Sequence, residues 1–148
     1  MVKFIAEVGI NHNGSVEDCK KLIMLSKIAG ADFVIISTGM STEEEVIEAI
    51  NIGNPDVIMH TNSTYPCSVD ELNLNYIIYL KNKYNKEIGY SGHELELSTT
   101  YTAIGLGTSW IERHITMDRN LWGSDQKASI EPNEFIEMVR EIRKSTKI

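Results

Sequence analysis

Two short stretches carry histidines in a setting suited to metal chemistry: Ile88-Gly-Tyr-Ser-Gly-His93 and Trp110-Ile-Glu-Arg-His-Ile-Thr116. Each reads as a brief strand with its histidine where the strand gives way to a loop. Side chains alternate faces along a strand, so Ser91 shares a side with His93, and Glu112 shares a side with His114. Two such strands lying side by side hold both imidazoles at one mouth, with a carboxylate below. That cradle suits one divalent metal ion and leaves coordination positions open for substrate. The same alternation turns Arg113 away from the mouth, toward the helices. The competing reading is two histidines satisfied by backbone partners, with no ion between them.

The elements that would position these residues alternate along the chain. Phe4-Ile-Ala-Glu-Val-Gly-Ile10 reads as a buried strand broken by Glu7. Ser15 caps a helix carrying Val16, Cys19, Leu22, Ile23 and Ile28 at helical spacing, closed by Gly30. Ala31-Asp-Phe-Val-Ile-Ile36 is the next strand. Thr42 and Glu45 then have capping-box spacing ahead of Val46, Ile47, Ala49 and Ile50. Asp56-Val-Ile-Met-His60 is a strand, followed by a helix lined by Leu74, Ile77, Ile78 and Leu80. The strand ending at His93 leads into a helix over roughly residues 95–105, with Leu97, Tyr101 and Ile104 facing inward. After the strand ending at His114 comes a long loop. A last helix with Pro132 near its start carries Phe135, Met138, Val139 and Ile142 as its buried stripe.

Strict alternation with short connections predicts an α/β fold of about five βα units with a parallel sheet. The polar residues Glu7, Ser37, His60, Ser91, His93, Glu112 and His114 fall at one end of the strands. In barrels and doubly wound sheets that end carries the chemistry. An eight-unit barrel needs at least ~200 residues, so 148 residues predict an incomplete one.

Composition bounds the function. The hydrophobic fraction is 42% and the charged fraction 24%, as in ordinary globular domains. The net charge of −7, without a basic run, argues against nucleic acid or an anionic membrane as partner. Cys19 and Cys67 share no metal or redox spacing and read as free thiols of a reducing compartment. With no leader-like segment or long apolar run, the cytoplasm is the expected location.

Several motifs, in order, resemble the sialic acid synthase family, the phosphoenolpyruvate-dependent synthases of nine-carbon sugar acids. Phe4-Ile-Ala-Glu-Val-Gly-Ile-Asn-His-Asn-Gly14 looks like its opening strand and loop. Ile36-Ser-Thr-Gly-Met40, His60-Thr-Asn-Ser-Thr-Tyr-Pro66, Gly89-Tyr-Ser-Gly-His93 and Ile111-Glu-Arg-His-Ile-Thr116 resemble later family motifs. The segment from Asp118 to Pro132 resembles the final barrel loop. The resemblance implies a TIM (β/α)8-type barrel followed by an antifreeze-like domain. It also implies a dimer in which that domain caps the partner's site.

The implied reaction joins C3 of phosphoenolpyruvate to the aldehyde of an N-acyl amino-sugar of the N-acylmannosamine type. Water then adds at C2 and phosphate leaves. Mn2+ or Mg2+ would polarise the aldehyde, with His93 and His114 as metal ligands. Ser63 and Ser91 would contact phosphoenolpyruvate. Glu7, Tyr65 and Asp125 would hold the acceptor sugar, with Asp125 also reaching metal-bound water.

The chain departs from the pattern near residues 34–35. Its second strand looks like the family's second strand in its first half and like the fifth in its latter half. The third and fourth βα units are therefore expected to be absent, with two phosphate-binding lysines. The antifreeze-like domain is likewise expected to be missing after Ile148. Domain 1–148 then reads as an incomplete barrel. Its remaining cations near the mouth are Arg113, Arg119 and Lys127.

Individual residues have plainer readings too. Glu7 in an apolar strand favours a substrate hydroxyl contact, since an unpaired buried carboxylate is costly. Glu112 either orients an imidazole or pairs with a cation. His60 is expected to be structural, and Trp122 to be a hydrophobic plug rather than a sugar platform. Two rivals to the synthase reading remain. One is a non-catalytic fragment or pseudoenzyme, whose open sheet edges invite pairing with a second copy or a complete synthase. The other is a different metal-dependent barrel aldolase.

Overall fold

The computed structural model of the chain describes Phe4, Asn13 and residues 15–146. The expected first strand, with Glu7, lies outside the described residues. The remaining elements follow the alternation: α1 Val16–Ile28, β1 Ile35–Ser37, α2 Glu43–Gly53, β2 Val57–Thr61, α3 Asn75–Lys83, β3 Glu87–Gly92, α4 Leu97–Gly105, β4 Trp110–Arg113 and α5 Pro132–Ser145. The four strands form one parallel sheet in the order β1-β2-β3-β4. This is the α/β architecture expected of a partial (β/α)8-type barrel, with four strands among the described residues.

Local chemistry explains the boundaries. Ser15 accepts from the Asp18 amide at the start of α1. Thr42 and Glu45 form the reciprocal capping box at the start of α2. α5 starts with Pro132 at its first turn, after a Glu131–Glu134 box.

The sheet has two faces of different character. Ile36, Ile58, Ile88, Tyr90 and Ile111 point to the helices and meet Val46, Ile50, Ile77, Leu80 and Ala103 in the core. On the other face Met59, Gly89 and Trp110 are register partners. Phe33, just before β1, meets Trp110 of β4 edge-on with ring centroids 5.1 Å apart. The sheet therefore curls until residues from its two outer strands touch, which closes the floor beneath the strand ends.

Several expected helix faces need correction. In α4 the buried residues are Thr99, Thr100 and Ala103, while Leu97, Tyr101 and Ile104 are half-buried. The reason is polar: Thr99 donates to Glu94, and Thr100 accepts from Arg113, so the hydroxyl side of the helix faces the sheet. In α3 Ile77 and Leu80 are buried, but Ile78 is exposed. α1 buries no residue, because it packs chiefly against α2. Ile47 and Ala49 of α2 are half-buried and flank the buried Val46 and Ile50. Of the α5 stripe Met138 is buried, Val139 and Ile142 are half-buried, and Phe135 is exposed.

Candidate active site

The two histidines stand where β3 and β4 end. Ser91 and Glu112 are register partners one turn of the pleat below them, on the same face. The imidazole centroids of His93 and His114 lie 5.2 Å apart, with the ring planes at 78°. Tyr65, from the loop after β2, stacks on His93 at 4.0 Å and meets His114 edge-on at 5.5 Å. Three rings from three βα units thus share one mouth.

Each group is held from behind. His93 Nδ1–H donates to the Asn62 carbonyl at 2.7 Å. That bond assigns the proton to Nδ1 and leaves the Nε2 lone pair available, as a metal ligand requires. The His93 carbonyl accepts from the Cys67 amide at 3.0 Å. Burial lowers the His93 pKa from its ordinary value. The bond to Asn62 opposes that shift, and the neighbouring His114 adds to it. His114 Nδ1 stands 3.6 Å from Asp125 Oδ2, on the loop before α5.

Ser91 is buried, and its Oγ donates to Glu112 Oε1 at 2.7 Å. Glu112 therefore takes a hydroxyl, where a cation or an imidazole was expected. The cause is register, which sets the two side chains directly opposite each other. Thr61 Oγ1 donates to the Ser91 carbonyl at 2.9 Å and ties β2 to the same rim. Ser63 sits against the Ser37-Thr-Gly-Met40 loop, so close that a Cβ added at Gly39 would lie 2.2 Å from its Oγ. A cavity of about 390 Å3 opens beside it, lined by Met40, His60, Thr61, Ser63, Glu71 and Asn73.

The structure brings His93, His114, Tyr65, Ser91 and Asp125 to one mouth and places Ser63 at its flank; Glu7 is outside the described residues. The two imidazoles are donors of a type that a divalent ion takes, and the His93 bond to Asn62 leaves its Nε2 available. Among the described residues no group of three or more His, Cys, Asp or Glu side chains converges as a complete metal cage. His60 is structural in setting: its Nε2–H donates to the Leu72 carbonyl at 2.7 Å, between the rings of Tyr76 and Tyr90. Trp122 is 99% exposed and plugs nothing. A turn closed by the Asn120 amide on Asp118 Oδ1 carries that stretch outward. The thiols Cys19 and Cys67 are free.

Sequence reasoning passed over Asn62 and Glu94. Asn62 acts through its backbone carbonyl, which no side-chain pattern announces. Glu94 was legible in principle, as a carboxylate in helix-side phase next to a candidate ligand. Arg113 faces the helices as the alternation requires, and it pairs with Glu94 at 2.8 Å.

A curled parallel sheet with helices on one side is the architecture of part of a βα barrel. The chain belongs to the NeuB family, whose family model matches residues 2–148. It is 36% identical over 116 residues to pseudaminic acid synthase of Campylobacter jejuni, covering 75% of this chain and 34% of that protein. It is 38% identical over 115 residues to human N-acetylneuraminate-9-phosphate synthase, covering 74% of this chain and 32% of that protein. In structure it is similar to the sialic acid synthetase of Leptospira borgpetersenii crystallised with citrate. There the TM-score is 0.76 at 34% identity, over 84% of this chain and 45% of that one. The chain spans about a third of the length of these curated relatives. Among the described residues no helix is long and apolar enough to cross a membrane.

Proposed function

We propose that the chain carries the carboxyl-end active-site machinery of a nonulosonic acid synthase. The reaction would join phosphoenolpyruvate to an N-acylmannosamine-type sugar and release phosphate. The observation that carries this reading is the convergence of His93 and His114, 5.2 Å apart, with Tyr65 packed on both. His93 and His114 would hold Mn2+ or Mg2+, which supplies Lewis-acid polarisation of the acceptor aldehyde when bound. Asn62 keeps the His93 ring in the tautomer that presents Nε2. Ser91 and Ser63 offer hydroxyls to the carboxylate and phosphate of phosphoenolpyruvate. Tyr65 and Asp125 flank the acceptor, with Glu7 as a further contact. Asp125 also orients His114 or water beside it.

We further infer an internal deletion near residues 34–35. The segment ahead of β1 has one neighbour on each side: the Asp32 amide donates to Phe4 O, and Val34 O accepts from the amides of Asp56 and Val57. That arrangement is compatible with one strand joining the halves of a second and a fifth strand, the third and fourth units being removed between them. The phosphate dianion then has few cations. Arg113 is buried on Glu94, and Arg119 is engaged by Ser129 O and Glu134. Lys127 is the uncommitted cation of the three among the described residues. Removing two cationic partners, at about 1.5–3 kcal/mol each, weakens phosphate binding by several powers of ten.

The test is phosphate release from phosphoenolpyruvate with N-acetylmannosamine and Mn2+. We expect slow release by the chain, abolished in H93A/H114A. No release at high enzyme concentration, with every acceptor sugar tried, sinks the synthase reading. It leaves the self-associating fragment, which the exposed apolar residues of α1 and α5 favour. Measuring the solution mass by light scattering decides that alternative.

A further inference from the structure

β4 is four residues long and is the last strand in the sheet order. Among the described residues, only past its end is it tied on its outer side, where Ile115 bridges Ile130 and the His114 carbonyl accepts from the Ile130 amide. Register is weakly specified where a strand has no fully buried face, as in β4, where none of the four residues is buried, and a slip of one residue moves every side chain to the opposite face. Such a slip would carry Glu112 and His114 away from the mouth. A device that prevents it is visible on the helix side of the same two strands. Arg113 and Glu94, the residues adjoining His114 and His93, form a salt bridge whose side chains are both 0% exposed.

The pair is bonded on many sides. Arg113 Nη1 reaches Glu94 Oε1 at 2.8 Å and Thr100 Oγ1 at 3.0 Å, and its Nη2 donates to the Glu94 backbone carbonyl. Tyr90 donates to Glu94 Oε2 at 2.9 Å, and Thr99 donates to Oε1 at 2.5 Å. The carboxylate folds back over Gly92, the register partner of Arg113. A Cβ there would lie 2.9 Å from both carboxylate oxygens. A buried ion pair is no better for stability than a well-packed apolar pair of the same size, and its best-attested use is to fix register. Here it joins the two positions next to the two histidines, in the phase that aims both rings the other way.

We infer that Glu94 and Arg113 are positioning residues that hold His93 and His114 together across the β3–β4 seam. The inference deepens the site reading above and rests on it for its purpose, though not for its test.

That test uses the full chain, metal-free and isotopically labelled. Proton–proton Overhauser effects are read between the rings of His93 and His114, and between Tyr65 and His93. E94M/R113M removes both charges at similar volume. It is expected to stay folded and to abolish the effect between the two histidines. E94Q keeps one acceptor oxygen for Arg113 and turns an NH2 toward the Tyr90 hydroxyl, which can accept as well as donate, so it is expected to retain the effect. R113K serves if the double variant does not fold. An ammonium cannot span Glu94 Oε1, the Glu94 carbonyl and Thr100 together, so the effect is expected to weaken. Mn2+ affinity, read from the free-ion paramagnetic signal, is expected to fall at least tenfold in E94M/R113M. Persistence of the two-histidine effect in folded E94M/R113M, or its full retention in R113K, overturns the proposal. If H93A/H114A binds Mn2+ as tightly as the parent, the metal reading falls, and the ring proximities still decide the positioning role.

Discussion

The two ends of the chain's alternating pattern are built to different depths. β2 is buried along all five residues and lies between two neighbours, with Ile77 and Leu80 of α3 packed against it at 0% exposure. β1 is three residues long with none buried, and α1 leaves Met24 and Leu25 56% and Ile28 74% exposed. Both helices carry apolar residues at helical spacing in the sequence. The difference is what stands opposite. Amphipathicity states that a helix face can be covered, and the neighbouring elements decide whether it is. In this chain the covered part runs through β2 and β3 and carries His93, whereas His114 follows β4, none of whose four residues is buried.

The largest expected effect tests that contrast directly. Ile77→Ala should cost about 2–5 kcal/mol, because its cavity lies in a closed core. Leu25→Ala on α1 should stay within about 0.5 kcal/mol. Urea unfolding of the two variants measures both. Equal destabilisation would mean that α1 is covered in solution, by a second copy or by further chain, and the contrast would dissolve.

Much of this was legible in the sequence, for identifiable reasons. Alternation along Ile88–His93 and Trp110–Thr116 depends on backbone geometry alone, so the phase of Ser91, His93, Glu112, His114 and Arg113 follows from position. Capping at Ser15 and Thr42 is equally local, and the structure has both bonds. What escaped depends on partners distant in sequence. Thr99 and Thr100 face inward because Glu94 and Arg113 wait there, which no apolar stripe reveals. Glu112 takes Ser91 because of inter-strand register. Trp122 is exposed because of a local turn, although its size suggested burial.

A smaller effect sharpens the contrast from inside the covered half. His60 is held below its ordinary pKa of 6.5 by burial, against the pull of its bond to Leu72. Its Nδ1 is buried with no partner among the described residues, so a second proton there would be unpaired. The unfolded chain takes up that proton near 6.5 and the folded chain only at lower pH. Stability therefore rises with pH through this interval and declines as pH falls below 6.5 toward the folded value. Between pH 7.5 and 5.5 the urea midpoint should drop for the parent and drop less for H60Q. An equal drop would show that His60 is not the titrating group.

The smallest effect belongs to the seam between α2 and α3, near the protein surface. Glu43 receives Lys83, Tyr79 at 2.6 Å and Tyr76 at 2.7 Å, which together lower its pKa from 4.5 to about 2. A depressed carboxylate contributes stability above its unfolded pKa and loses it as pH falls through the folded one. The contribution of Glu43 is therefore complete above about pH 4.5 and gone near pH 2. Solvent and salt screen a pair in this setting, so the effect is small beside the core substitution. E43Q should unfold at lower urea than the parent at pH 6, and the gap should close as pH approaches 2.5. A gap unchanged across that range would mean that the cluster acts by shape alone. α2 would then be tied to α3 by Tyr76 and Tyr79 packing, with no charge at the seam.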